Sequence, residues 1–147
     1  MSKCDKFEYD FMRSIFNGVA HTNYSATAGS TNTWLALNTA DPGDSGSTAN
    51  EGGYTQYARV AVARSSTGWA ITSGDSAALP ATASPVAAIT FAQNLTTSTG
   101  TFTHFSLFPA SDTTGPQAAY TGTVTPNINF SQNVTPSITT GSSITET

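Results

Sequence analysis

A chain of 147 residues is long enough for one domain with a single buried core and too short to expect two. It carries 26 Thr and 18 Ser but only five Lys or Arg and nine Asp or Glu, for a net charge of −4, so its surface must be neutral and hydroxyl-rich. No Lys or Arg follows Arg64, and without clustered cations to neutralise phosphates a nucleic-acid partner is excluded.

The first element is a helix from about Cys4 to Gly18. Phe7, Phe11, Met12, Ile15 and Val19 recur at three- and four-residue steps with charges between them, the pattern of one amphipathic helix. Asp5 with Glu8 reads as a capping box, and Gly18 as a left-handed stop. Charges at Lys3, Asp5, Lys6, Glu8, Asp10 and Arg13 leave no uncharged apolar stretch for a secretory signal, and no later run is long and apolar enough to span a bilayer. Synthesis in a cytoplasm, with no membrane partner, is the expectation. The helix either docks on its own domain or forms an arm that docks on a neighbouring subunit.

Beyond residue 20 the pattern changes to short runs rich in Thr, Val, Phe and Tyr, separated by clusters of Gly, Pro, Asn, Asp and Ser. Thr33–Asn38 is the first strand, ended by the turn at Asp41–Gly46. Tyr57–Arg64 alternates, with Tyr57, Arg59, Ala61 and Ala63 on one face and Val60 and Val62 on the other. Trp69–Thr72 and Val86–Phe91 follow, with Leu79, Pro80 and Pro85 interrupting any ladder between them. Thr101–Phe108 carries aromatics on both faces, which places it centrally in a sheet or sets one face against a partner. Tyr120–Val124, Ile128–Phe130 and Ser137–Thr145 complete the set. The reading is an all-β, jelly-roll-like two-sheet sandwich of about eight strands with one N-terminal amphipathic helix: an arm over 1–20 and a β-sandwich domain over 21–147.

Chemistry is hard to assemble from these residues. One cysteine, Cys4, cannot form an internal disulfide, and with two histidines no structural zinc set is available. His104 lies inside an aromatic strand and His21 just past the helix stop; neither accompanies a Gly-x-Ser-x-Gly elbow. Asp41, Asp44, Glu51, Asp75 and Asp112 all fall in turn-like sequence, where acids are expected without catalysis. Asp41-Pro-Gly-Asp-Ser-Gly lacks the alternating acids of a calcium loop and reads as a turn. No catalytic residue, cofactor or metal is expected. Tyr54, Tyr57, Trp34 and Trp69 suit either a core or a carbohydrate-binding surface.

The run Trp34-Leu35-Ala36-Leu37-Asn38-Thr39-Ala40-Asp41-Pro42-Gly43-Asp44 resembles a widespread family of small tailed-bacteriophage virion proteins. So do Glu51-Gly52-Gly53-Tyr54, Tyr57-Ala58-Arg59-Val60-Ala61-Val62, Gly68-Trp69, Ala87-Ala88-Ile89-Thr90-Phe91, Thr103-His104-Phe105-Ser106-Leu107-Phe108 and Tyr120-Thr121-Gly122. The resemblance implies a non-enzymatic virion structural protein. Within the family it points first to a capsid cement or decoration protein, a homotrimer on the capsid exterior that binds the major capsid protein at capsomer junctions and stabilises the shell. The alternative is a tail fibre or receptor-binding module that contacts tail proteins and host glycan. Phe7, Phe11, Ile15, Tyr54 and Tyr57 are the expected partner-interface residues.

Overall fold

The computed structural model describes residues 2–18, 31–72, 82–109 and 118–145. Val19, His21, Asp75, Leu79, Pro80 and Asp112 of the sequence reading lie outside them. Among the described residues the chain forms β1 (Ser2–Lys3), α1 (Asp5–Asn17), β2 (Asn32–Asn38), β3 (Val60–Ala63), β4 (Trp69–Thr72), β5 (Thr82–Pro85), β6 (Ile89–Thr90), β7 (Gly100–Phe108), β8 (Tyr120–Phe130), β9 (Ser137–Ile138) and β10 (Ile144–Thr145). All strand pairs are antiparallel, in a five-stranded sheet β1-β8-β7-β2-β3, a three-stranded sheet β10-β5-β4 and a pair β6-β9. This is the all-β sandwich with one N-terminal helix that the alternating pattern predicts, with ten short strands rather than about eight.

Period-two alternation explains the main layer. In β2, Leu35 and Leu37 point to one face and pair with Leu107 and Phe105 of β7, while Trp34 and Ala36 point to the other. The inner face is closed by Ile89, Phe91, Trp69, Ile138 and Ile144 from the two smaller sheets and their flanks, so the core lies between the layers. Burial of each such large apolar side chain contributes about 1.5–3 kcal/mol.

β7 is the middle strand of the five, and both its faces are covered by its own chain. A register shift opposite β8, between Phe102 and His104, resets the alternation there. Phe102 thereby joins Phe105 in the inner core, its ring 4.6 Å from that of Phe130, while Phe108 lies on the outer face. Strict alternation would have put Phe102 and Phe108 together. The irregularity also lets β8 run unbroken from Tyr120 to Phe130, because Pro126 falls in the unpaired stretch where its missing N–H breaks no ladder bond.

Three other differences have local causes. The N-cap is Cys4 rather than Asp5 and makes no side-chain cap bond, while Gly18 does end the helix at φ 64° with its N–H on the Arg13 carbonyl. Tyr54–Tyr57 is a turn, closed by the Tyr57 N–H on the Tyr54 carbonyl, so β3 starts only at Val60 and Tyr57 and Arg59 do not share the exposed face of Ala61 and Ala63. Pro85 does not interrupt a ladder; it is the last residue of β5, opposite Trp69. At Asp41–Gly46 the expected turn forms, with Asp41 Oδ1 accepting the Gly43 N–H at 2.9 Å and both glycines at positive φ.

Candidate assembly surface

The N-terminal helix is tied to the body at its base. Cys4 is fully buried against Ala36, Phe108 and Ala118, and its N–H donates to the Ala119 carbonyl at 3.0 Å. Just before it, Ser2 and Lys3 pair with Thr121 and Tyr120 as the edge strand of the main sheet, so the first residues of the expected arm belong to the β body. One turn into the helix the Phe7 ring meets that of Tyr120 at 5.2 Å. Beyond that point the apolar face opens to solvent: Tyr9, Phe11, Met12 and Ile15 are about half exposed and Phe16 is 73% exposed. At 100° per residue, Phe11, Ile15, Met12, Phe16 and Tyr9 span about 160° of the helix circumference, wider than a surface helix needs for one core-facing stripe. With each large side chain offering about 150–250 Å² and roughly half of it open, the patch amounts to about 500 Å², the scale at which exposed apolar surface marks an interaction site.

Beside the helix base lies an open apolar cavity of about 640 Å³ between the layers, whose lining includes Trp69, Ile71, Leu107, Tyr120, Ile144 and Arg64. The Trp69 indole is fixed by its N–H, which donates to Thr33 Oγ1 at 3.0 Å; that hydroxyl in turn donates to the Val62 carbonyl. Ile71 is 67% exposed on the edge strand of the smaller sheet. A second cavity of about 750 Å³ lies across Trp69, Ala83 and Ile144, over Leu35, Phe105 and Val124.

The five expected interface residues therefore separate into two groups. Phe7, Phe11 and Ile15 share the helix face. Tyr54 and Tyr57 lie in the core, among Phe91, Phe102 and Phe130. Tyr54 donates its hydroxyl to the Ala92 carbonyl at 2.7 Å; the Tyr57 hydroxyl accepts the Leu37 N–H at 2.7 Å and faces the Leu37 carbonyl at 3.3 Å. Burial pushes both phenols above the usual tyrosine range, Tyr57 the further despite its bond from the Leu37 backbone. Of the two settings that suit these residues, a core or a binding surface, the structure gives them the core.

The segment that does so also buries an ion pair. Glu51 accepts from Arg59 through both carboxylate oxygens, Nε to Oε1 at 2.8 Å and Nη2 to Oε2 at 2.7 Å, with side chains 5% and 2% exposed. The guanidinium carbon stands 3.5 Å over the Phe108 ring. Nearby, buried Asn38 donates to Ser106 Oγ at 2.8 Å, and its Oδ1 has no hydrogen-bond partner. His104 shares a 2.8 Å hydrogen bond with Thr103 Oγ1. Among the described residues no three His, Cys, Asp or Glu side chains gather as metal ligands, and no helix is long and apolar enough to cross a membrane. The sequence reading missed Tyr9 and Phe16 as surface residues, although their helical angles extend the apolar arc. It also missed the Glu51–Arg59 pair, whose eight-residue separation spans a turn and gives no periodic signal.

Residues 6–145 match the model of a protein family described as Podophage GP4 fiber I protein gp80. No curated protein matches the chain.

Proposed function

The chain belongs to the podophage GP4 fiber I protein gp80 family, and from that membership we propose that it is a non-enzymatic subunit of a phage tail fibre, assembled as a homotrimer through its N-terminal helix. A phage structural protein of a fibre family is the frame; the place in the tail, the trimer and the helix's role are the proposal. The observation that carries it is the exposed apolar face of α1 on a base anchored by Cys4. A helix anchored at one end and apolar over about 160° of its circumference from Tyr9 onward is built to be covered, and a trimer covers it with three copies of each weak contact. Contact with host glycan draws no support from Tyr54 and Tyr57, whose rings are packed into the core.

A capsid cement protein, seated on the shell exterior against the major capsid protein, is the second reading. It is favoured by the two-layer body, whose strands among the described residues form no repeat from which a fibre shaft could be built. Both readings need the helix face. Phages whose only copy of this gene encodes Phe11→Ser, Ile15→Ser and Phe16→Ser together should yield purified particles with at least tenfold less of the protein by immunoblot. Particles carrying the normal amount would overturn the helix's role.

A further inference from the structure

We infer that Asn17–Gly18, at the end of α1, is a site of spontaneous covalent modification: the Gly18 backbone nitrogen closes on the Asn17 side chain, ammonia leaves, and water opens the ring to an aspartyl or isoaspartyl residue. The site itself is independent of the fibre reading, since it needs only the helix end as it stands.

The chemistry is local. The deprotonated amide nitrogen of the residue after an asparagine attacks the asparagine Cγ; a C–N bond forms, and the side-chain nitrogen departs with its protons as ammonia. The succinimide ring takes up one water, which breaks one of its two ring C–N bonds and leaves a carboxylate. The balance is amide plus water to acid plus ammonia, with no oxidant or reductant. A bulky or β-branched following residue screens the attacking nitrogen, and glycine leaves it open. Of the nine asparagines, Asn17 is the one followed by glycine; the others precede Tyr, Thr, Glu, Leu, Ile, Phe or Val. The structure adds access. Asn17 is exposed, and a Cβ placed on Gly18 would meet nothing within 4 Å, so neither the nitrogen nor the leaving ammonia is walled in. Asn38 and Asn94, by contrast, are fully buried.

The same geometry applies a brake. The Gly18 N–H donates to the Arg13 carbonyl with Gly18 at φ 64°, and the nitrogen cannot attack while that bond holds and Asn17 keeps helical dihedrals. It is the bond that closes the helix end. Helix ends open at the low end of local-unfolding free energies, so the brake should slow conversion by up to about tenfold without stopping it.

The product changes the apolar end of α1. A carboxylate appears next to Phe16, which is 73% exposed, beside helix carbonyls that already form the negative end of the dipole. The last turn carries no basic residue, and Arg13, one turn back, lies over the Tyr9 ring at 5.4 Å. The isoaspartyl product also lengthens the backbone by a methylene and so displaces the Gly18 cap. An assembly that covers Phe16 would hold this turn shut, so conversion should mark copies left unassembled; that consequence rests on the proposed role of the helix.

The test incubates the full chain at mildly alkaline pH, follows the growth of a more acidic species by ion exchange, and locates the change by peptide mapping with mass spectrometry. Conversion is expected at Asn17 ahead of the other eight asparagines, with the acidic species missing from Asn17→Gln. In native buffer it should run slower than in guanidinium chloride, by up to about tenfold. Conversion that begins at another asparagine, or an acidic species that persists in Asn17→Gln, overturns the site. Equal native and denatured rates overturn the brake, and native conversion too slow to detect while the denatured chain converts means that the helix end stays closed, which overturns the proposal as well. Purified particles incubated beside the free chain separate the site from the assembly role of α1. Less conversion in particles supports the covering of the helix. Equal conversion at Asn17 in both contradicts that role and leaves the modification site standing.

Discussion

Replacing Glu51 by Gln removes one charge from a pair that is almost wholly withdrawn from water. Arg59 then keeps its positive charge at 2% side-chain exposure, stacked over Phe108, with a neutral amide where both carboxylate oxygens had accepted its N–H groups. Breaking a buried pair from one side costs about 3–5 kcal/mol, because the remaining charge loses the carboxylate that faced it. Against a total stability on the order of 10 kcal/mol for a domain of this size, that is a large fraction. With a urea dependence of about 2 kcal/mol per M, the unfolding midpoint should fall by about 1.5–2.5 M. Replacing both residues by Met should recover much of the loss, since both charges of the pair are then removed. The assay is urea unfolding followed by tryptophan fluorescence. A loss under about 1 kcal/mol for Glu51→Gln, the value of an exposed ion pair, would refute the claim that the pair is buried and holds its loop on the sheet.

Gly100→Ala should destabilise the body by about 1–3 kcal/mol, because an added Cβ would stand 2.6 Å from the Phe130 ring; an unchanged thermal midpoint would contradict that packing. The buried phenols make stability fall at high pH: Tyr54 and Tyr57 hold their protons above 10.0 in the folded state while unfolded tyrosines release theirs, so unfolding binds fewer protons and is favoured as pH rises past that value. The unfolding free energy should be level from about pH 7 to 9 and drop above 10, with a smaller drop in Tyr57→Phe; an equal drop would place the cause elsewhere. Assembly through apolar contacts should survive about 1 M NaCl, where the Debye length is about 3 Å, and a large salt-induced dissociation in sedimentation would point to charge pairing instead.

Much of the fold was legible because it rests on local patterns. The helix, the β2 and β4 boundaries and the turn at Asp41–Gly46 follow from period, Gly and Pro. The register shift at Phe102 was not legible, because it arises from the pairing of Phe102 and His104 with Ile128 and Thr123, distant in sequence. Of the two places that aromatics on both faces allowed β7, central in a sheet or against a partner, it takes the central one, with Phe102, Phe105 and Phe108 all buried by their own chain. The spare apolar surface is on α1. Of the candidate interface, Phe11 and Ile15 could be read from helical spacing, whereas the place of Tyr54 and Tyr57 depended on how a long connection folds back, and their hydroxyl partners Ala92 and Leu37 are distant in sequence. The Trp69 cavity joins strands from three parts of the chain and left no mark in any one segment.

The central claim, that this chain is a tail-fibre subunit, is tested most directly by locating it on intact particles. Cryo-electron microscopy of virions labelled with a monovalent antibody fragment against the β body should show the label at the tail, in groups of three. Label spread over the capsid lattice, with none at the tail, would contradict the account and assign the protein to the shell.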